Sequence, residues 1–272
     1  MRTSVAQNGL TFTAYAGTTG VHLTWDADDA LRQNLLGFAI KRRESRYRTG
    51  RWLAGGIGFP GQAHRPGVFM DTSLAPIQAF RWGDYTVYPA TKYTYELVPM
   101  YGPWDALQPG PPATLEVRTE AVRGKPHSVA FNRAVAASQA YERRFPEVDP
   151  HNNVEARKWL CRDLDKFVLD FIAWGDGPQW ALDVCIYEYE LPEIRDALLA
   201  VRNAGTAVRL VYHSKTGDAQ TEDNEASVTA GHWPAGTVRA RKTSSIMHDK
   251  FMVHSRMQGG VRRPKAVMTG ST

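Results

Sequence analysis

The spacing of apolar residues changes once along this chain. Up to about residue 120, apolar and polar residues alternate, as in the segments 21–25 and 93–97. Alternation over four to eight residues places one face of a segment in a core and the other in water, which is typical of a β-strand. After Pro126, apolar residues recur at steps of three and four, which is typical of an amphipathic helix. The change of spacing predicts two domains of different structural class.

The first half predicts an all-β sandwich of short strands joined by turns, such as the glycine-rich segment 55–61. Its segments GVHLTWD, GFAIKRR and TKYTYELVPMYG resemble a fibronectin type III domain over roughly residues 8–120. The resemblance implies that Trp25, on the second strand, fills the core, together with Tyr93 or Tyr95 on the sixth. It also implies a spacer or a binding surface without catalytic chemistry.

A short polar segment separates the two halves. The sequence Arg-Gly-Lys-Pro at 123–126 has the composition of an interdomain linker. We therefore expect the sandwich to occupy residues 1–122 and the second domain to occupy residues 126–272.

The second domain opens with a predicted amphipathic helix, whose apolar positions run from Val154 to Phe171. Asn152, with Glu155 three residues later, is typical of a helix N-terminus. Gly175 is typical of a helix end.

A strand–helix–strand unit follows. The apolar run 181–187 predicts a strand buried on both faces, and a helix should begin at Pro192 and end near Gly205. Residues 207–212 predict a second buried strand. Such a unit implies a right-handed crossover between parallel strands, so the second domain is predicted to be α/β.

Composition narrows the function classes. The 272 residues are 43% hydrophobic and 22% charged, which excludes wholesale disorder, and no apolar run reaches the length of a membrane span. The N-terminus lacks the apolar core of a secretory signal, and the two cysteines cannot form a disulfide framework, so we expect a cytoplasmic protein. The net charge of +5 permits an anionic partner such as a nucleic acid without requiring one.

Candidate chemistry is concentrated near the C-terminus. If 245–253 is a strand, His248 and Lys250 lie on one face. An ammonium group neutralises phosphoryl oxygens, and a neutral imidazole can act as nucleophile or proton carrier. After a hairpin-like stretch, a strand at 266–268 ends in the sequence Thr-Gly-Ser-Thr. There the hydroxyl of Ser271 and the backbone N–H groups can meet the same phosphate.

The order of these parts resembles the phospholipase D superfamily over residues 127–272. Its signature is H-x-K, four residues and an Asp, followed by a Gly-Ser turn. The resemblance implies that His248 attacks phosphorus or protonates the leaving group, that Lys250 binds the phosphate and that Ser271 is the turn serine. It implies no metal and no organic cofactor.

The sequence departs from that signature in several places. Ser255 stands at the position of the Asp, His254 precedes it instead of an aliphatic residue, and the expected Asn would be residue 273. The family combines two signatures in one site, whereas only one is found here. We therefore expect a half-repeat, truncated within a longer polypeptide. The second signature would come from the missing C-terminal part or from a homodimer partner.

A second H-x-K stands at His213 and Lys215, at the end of the preceding strand. It cannot be the missing signature, because by the resemblance the two signatures belong to separate repeats, each with its own sheet. The carboxyl ends of such strands bind ligands in α/β proteins, so these residues are candidates for a substrate rim. The alternative is solvated loop charges. The polar segment 216–239 carries four acidic residues whose spacing matches no metal site, and a solvated acidic loop is the expectation.

Together these patterns predict a metal-independent phosphodiesterase that works through a phosphohistidine. We favour a nucleic-acid phosphodiester over a phospholipid as substrate, because the chain is basic and shows no membrane anchor. The alternative is a degenerate repeat that binds nucleic acid or protein without catalysis. Ser255 is its main support.

Overall fold

A computed structural model of the protein describes residues 1–63, 68–133, 138–242 and 245–270. The chain divides into two compact units, Met1–Phe131 and Asn132–Thr272. Each is described by itself.

The first unit is a β-sandwich. One sheet has the strand order β1-β2-β3-β8, the other has the order β10-β9-β4-β5 with β11 also beside β9, and β6 and β7 form a small separate pair. All of these pairings are antiparallel. The strands are β1 (Arg2–Gln7), β2 (Leu10–Ala16), β3 (Val21–Ala27), β4 (Leu35–Glu44), β5 (Arg51–Trp52), β6 (Ala54–Gly55), β7 (Met70–Asp71), β8 (Arg81–Asp84), β9 (Lys92–Tyr101), β10 (Gln108–Pro109) and β11 (Ala113–Arg118), with a short helix α1 (Asp29–Arg32).

Alternating residues of the two sheets form the core of the sandwich, as the period of two predicts. Trp25 is buried and lies edge-on to Phe12 and Phe38, with ring centroids 6.3 and 5.3 Å away. Tyr93 and Tyr95 are both fully buried. The predicted core role of Trp25 is confirmed, and both candidate tyrosines share it.

The second unit is built on one mixed sheet of order β14-β13-β12-β15-β16. β12, β13 and β14 are parallel, and β15 and β16 add antiparallel strands at the other edge. The elements are α2 (Gln139–Arg144), α3 (Val154–Cys161), α4 (Leu164–Ala173), β12 (Trp180–Ile186), α5 (Pro192–Asn203), β13 (Ala207–Ser214), α6 (Ala219–Ala230), β14 (Val238–Lys242), β15 (Lys250–Gln258) and β16 (Val261–Thr269), with a 3-10 turn at Pro150–Asn152. The predicted strand–helix–strand unit is confirmed as β12–α5–β13.

The predicted helix over 152–175 was wrong as a single element. Arg162 and Asp163 are both left-handed, with φ of 50° and 63°, and they separate α3 from α4. Asn153 rather than Asn152 caps α3, since its side chain accepts a hydrogen bond from Ala156 N at 2.9 Å. Apolar spacing did not reveal the break: Val154, the first apolar position of the predicted helix, is 58% exposed, and the buried residues of the two helices are Ala156 and Ile172.

The predicted polar loop at 216–239 was also wrong, because it contains the twelve-residue helix α6. Its buried residues are Thr221, Asn224 and Ser227, at steps of three. A helix that buries polar side chains has no apolar periodicity to reveal it.

The core of the second unit lies on one face of the sheet. Side chains of α4 and α5 pack there against Leu182 and Val184 of β12 and Met252 of β15. Residues that lie opposite one another in antiparallel strands have their side chains on the same face of the sheet. The face without the helices therefore carries Cys185 of β12, Phe251 of β15 and Val267 of the edge strand β16. Phe251 and Val267 are 39% and 67% exposed.

Candidate functional site

The candidate site lies at the edge of the sheet where parallel strands β12 and β13 end and antiparallel β15 begins. Ile186 is opposite Tyr212 on one side and Lys250 on the other. The next residues along β12 and β13 are therefore Tyr187 and His213, which meet at this edge with the start of β15. The carboxyl ends of parallel strands are a common place for ligands in α/β folds.

The Tyr187 ring is the centre of the site. Its centroid lies 5.3 Å from that of His248 and 5.1 Å from that of His213. The Lys250 Nζ atom lies 5.1 Å from the same centroid, within the range of a cation–π contact. The structure thus brings the predicted pair His248 and Lys250 together against one aromatic ring. Sequence analysis missed Tyr187 as a site residue, since its only signal was its place at the end of the predicted buried strand 181–187.

Lys250 presents an unsatisfied cation. Its Nζ atom is buried and makes no hydrogen bond to any described residue, while its side chain as a whole is half-buried. Desolvating an ammonium group without an acceptor costs free energy, and an anion beside it would recover that cost. The backbone of Lys250 is held in place, because its carbonyl oxygen accepts from Gly270 N at 3.1 Å and Thr269 Oγ1 at 3.3 Å.

His248 is exposed and lies in the irregular segment 245–249 before β15. The expectation of a strand over 245–253 was wrong for its first half, because β15 begins at Lys250. Each of His248 and Lys250 nevertheless lies against the Tyr187 ring, which strand alternation did not predict.

His213 is fully buried. Its Nδ1 lies 3.3 Å from Met247 N, which donates to it, and its Nε2 lies 2.8 Å from Asp218 Oδ2. Both ring nitrogens are therefore occupied by protein groups, and neither is offered to a substrate at the rim.

Lys215, the other predicted rim residue, is half-buried and lines an open cavity of about 310 Å³. Its rim role stays a prediction. Charges of both signs line this cavity: Lys215, Lys242, Asp218, Glu222 and Glu225.

Asn224 of α6 ties the ends of β12 and β13 together. It is fully buried, and its Oδ1 accepts from Tyr189 N at 2.7 Å. Its Nδ2 donates to the carbonyl oxygens of Tyr187 at 2.8 Å and His213 at 3.0 Å. One amide thus satisfies three backbone groups that the sheet leaves unpaired.

The remaining predicted residues have mixed outcomes. Ser271 lies outside the described residues. Ser255, at the position of the signature Asp, is 1% exposed and lies at an irregularity of the β15–β16 register. Among the described residues, no group of three or more His, Cys, Asp or Glu side chains is arranged to hold a metal ion.

His254 lies in an aromatic cage away from the sheet edge. Its ring centroid is 5.1 Å from Phe171, 5.5 Å from Trp174 and 6.1 Å from Trp180. Its Nε2 lies 2.8 Å from the Phe171 carbonyl oxygen, and its Nδ1 is buried without a hydrogen bond to a described residue. Burial lowers the pKa of His254 below its usual value.

Comparison with known proteins concerns the fold alone. No protein-family model and no curated protein matches the chain. Similar solved structures include the fibronectin type III domain of human fibronectin type III domain containing protein 3, at 16% identity and a TM-score of 0.24, over 46% of this chain and 90% of that one. They also include such a domain of human collagen XX, at 17% identity and a TM-score of 0.24, over 39% of this chain and 85% of that one.

A third similar structure, the FN1–FN3 domains of chicken CNTN1, has 12% identity and a TM-score of 0.27, over 40% of this chain and 29% of that one. These neighbours are fibronectin type III domains, but their TM-scores are low. The description of the first unit as a β-sandwich therefore rests on its own strand order. None of the described helices is long and apolar enough to cross a membrane.

Proposed function

We propose that the second unit is a metal-independent phosphodiesterase of the phospholipase D type, with His248 as its nucleophile or its general acid. The observation that supports this most is the shared Tyr187 ring, which holds the exposed imidazole of His248 and the unsatisfied ammonium of Lys250 on one sheet edge. A proton carrier beside a cation is what attack on a phosphate anion requires.

The proposed reaction has two steps. A ring nitrogen of one histidine attacks phosphorus, the bond from phosphorus to the leaving oxygen breaks, and a second histidine gives that oxygen a proton. Water then attacks the phosphohistidine, the second histidine takes the proton of the water, and the phosphorus–nitrogen bond breaks. Lys250 neutralises the non-bridging oxygens in both steps. No atom changes its oxidation state, so water is the one co-reactant.

The second histidine is proposed to come from a further H-x-K repeat or from a second copy of this chain. The sheet face opposite the helices supports a partner of this kind, because it leaves Phe251 and Val267 exposed. Exposed apolar side chains on one sheet face favour association. Size-exclusion chromatography with light scattering distinguishes the two sources, since only the second makes activity depend on a dimer.

The proposed substrate is a nucleic-acid phosphodiester in preference to a phospholipid. The net charge of +5 supports a polyanion. The alternative function is a catalytically inactive module that binds nucleic acid or protein. Ser255, which replaces a carboxylate in the signature, favours that alternative.

The first test is hydrolysis of bis(p-nitrophenyl) phosphate in excess EDTA by the full chain. We expect turnover that is lost in His248→Ala and in Lys250→Met. His22→Ala and Lys265→Met serve as matched controls, because both side chains are exposed on strands and contact none of the site residues described above. Turnover that survives in His248→Ala, or that EDTA abolishes, would overturn the proposal.

The second test identifies the class of substrate and distinguishes catalysis from the alternative function, a module that only binds nucleic acid or protein. Single-stranded DNA, RNA and phosphatidylcholine vesicles are offered at equal phosphodiester concentration. Cleavage of either nucleic acid but not the lipid supports the proposed class, and cleavage of lipid alone contradicts it. Salt-sensitive binding to nucleic acid by a folded chain that cleaves nothing would establish the binding module instead.

A further inference from the structure

The segment that carries His248 has no strand pairing of its own before Lys250. Met247, the residue directly before His248, holds this segment against the sheet and is only 4% exposed. The Met247 sulfur lies 4.0 Å from Cys185 Sγ, and its backbone N–H donates to His213 Nδ1 at 3.3 Å. The hydrogen bond to His213 thus fixes the backbone directly before His248.

That hydrogen bond requires one tautomer of His213. Nδ1 can accept from Met247 only if it carries no proton, so the proton of the neutral ring must reside on Nε2. Asp218 selects this state, because its carboxylate 2.8 Å from Nε2 can only accept. The same side chain makes no capping hydrogen bond to α6, although Asp218 occupies the N-cap position.

We propose that His213 and Asp218 are positioning residues of the phosphodiesterase site, which set the His213 tautomer and thereby hold the Met247–His248 peptide beside the Tyr187 ring. This inference rests on the proposed function for its catalytic consequence, but the positioning itself can be measured without turnover. Asn224 also fixes the backbone of His213, because its Nδ2 donates a hydrogen bond to the His213 carbonyl oxygen.

Asp218→Asn is the decisive variant. An amide can donate to Nε2, which allows the proton to move to Nδ1, and a protonated Nδ1 repels the Met247 N–H instead of accepting from it. Asp223→Asn is the matched control, because it makes the same change of an acid to an amide in α6, and Asp223 is exposed and does not line the cavity. Asp218→Glu, which keeps the carboxylate, tests for rescue.

The experiment combines two measurements on the full chain. Long-range ¹H–¹⁵N NMR of labelled protein reads the His213 tautomer, and amide hydrogen exchange reads the protection of Met247. We expect the Nε2–H tautomer in the wild type and a protonated Nδ1 in Asp218→Asn. Met247 should exchange about tenfold faster or more in that variant, since its acceptor is lost.

Turnover of bis(p-nitrophenyl) phosphate is measured in parallel, and kcat should fall about tenfold or more in Asp218→Asn while KM changes little. Asp223→Asn should match the wild type in all three measurements. A wild-type Nδ1–H tautomer, or unchanged Met247 exchange in Asp218→Asn, would overturn the inference. A protein with the expected NMR and exchange results but no turnover would instead contradict the proposed function alone.

Discussion

Arg42 and Asp84 form a buried ion pair that joins the two sheets of the sandwich. Arg42 Nη1 donates to Asp84 Oδ2 at 2.6 Å, and the two side chains are only 7% and 2% exposed. Tyr95 also donates its hydroxyl to Asp84 Oδ2 at 2.9 Å, and Thr86 donates to Oδ1 from both its backbone N and its side chain. The carboxylate is therefore fully satisfied, as a buried charge requires.

Removing one partner of this pair should destabilise the sandwich strongly. In Asp84→Asn the guanidinium of Arg42 remains buried without its counter-charge, and we expect the free energy of unfolding to fall by about 3 to 5 kcal/mol. Asp26→Asn is the control, because Asp26 pairs with Arg32 at the surface, where the carboxylate is 70% exposed. Guanidinium unfolding followed by circular dichroism measures both, and equal effects of the two variants would refute the prediction.

The stability of the second unit should fall in acid through His254. Burial places the folded pKa of this histidine below its usual value of 6.5, so the unfolded chain binds the proton first. The contribution of the neutral His254 side chain to the free energy of unfolding is fully present above pH 6.5. It is lost as the pH falls below that value. His254→Gln, which removes the titrating group, should reduce the loss of unfolding free energy between pH 8 and pH 5. Parallel pH profiles for the variant and the wild type would exclude this role.

Asn224 should contribute stability out of proportion to its size. Asn224→Ala leaves the backbone groups of Tyr187, Tyr189 and His213 without their partner, and we expect a loss of about 2 kcal/mol or more. Asp223→Ala alters the neighbouring, exposed residue of α6 and should change the unfolding midpoint little. If both variants unfold at the same denaturant concentration, the three hydrogen bonds do not stabilise the sheet edge.

The aromatic face of Tyr187, rather than its hydroxyl, should support turnover. Tyr187→Phe keeps the ring against His248 and Lys250 and should retain most of the activity, whereas Tyr187→Leu should lower kcat about tenfold. The comparison uses the phosphodiester assay in EDTA with both variants checked for native circular dichroism. Equal kcat for the Phe and Leu variants would show that the ring does not organise the site.

The sequence alone determined the elements whose burial is apolar. Alternation predicted the strands around Trp25 and Tyr95, and the strand–helix–strand unit β12–α5–β13 was predicted almost to its ends. These predictions succeeded because apolar burial is periodic in a strand or a helix and can be seen in one segment at a time. His248 and Lys250 could be predicted as site residues for a related reason, because they lie two positions apart and one segment contains both.

Only the tertiary structure revealed the elements that bury polar side chains and the contacts between residues far apart in sequence. Helix α6 escaped the sequence analysis because its buried face, including Asn224, bonds to strand ends instead of an apolar core. The break at Arg162 and Asp163 depends on backbone angles that apolar spacing does not reveal. Tyr187, His213 and Asp218 converge on one edge only after the strands pair in register. Hydrogen-bond partners far apart in sequence have no periodicity, so only the folded chain shows that they meet.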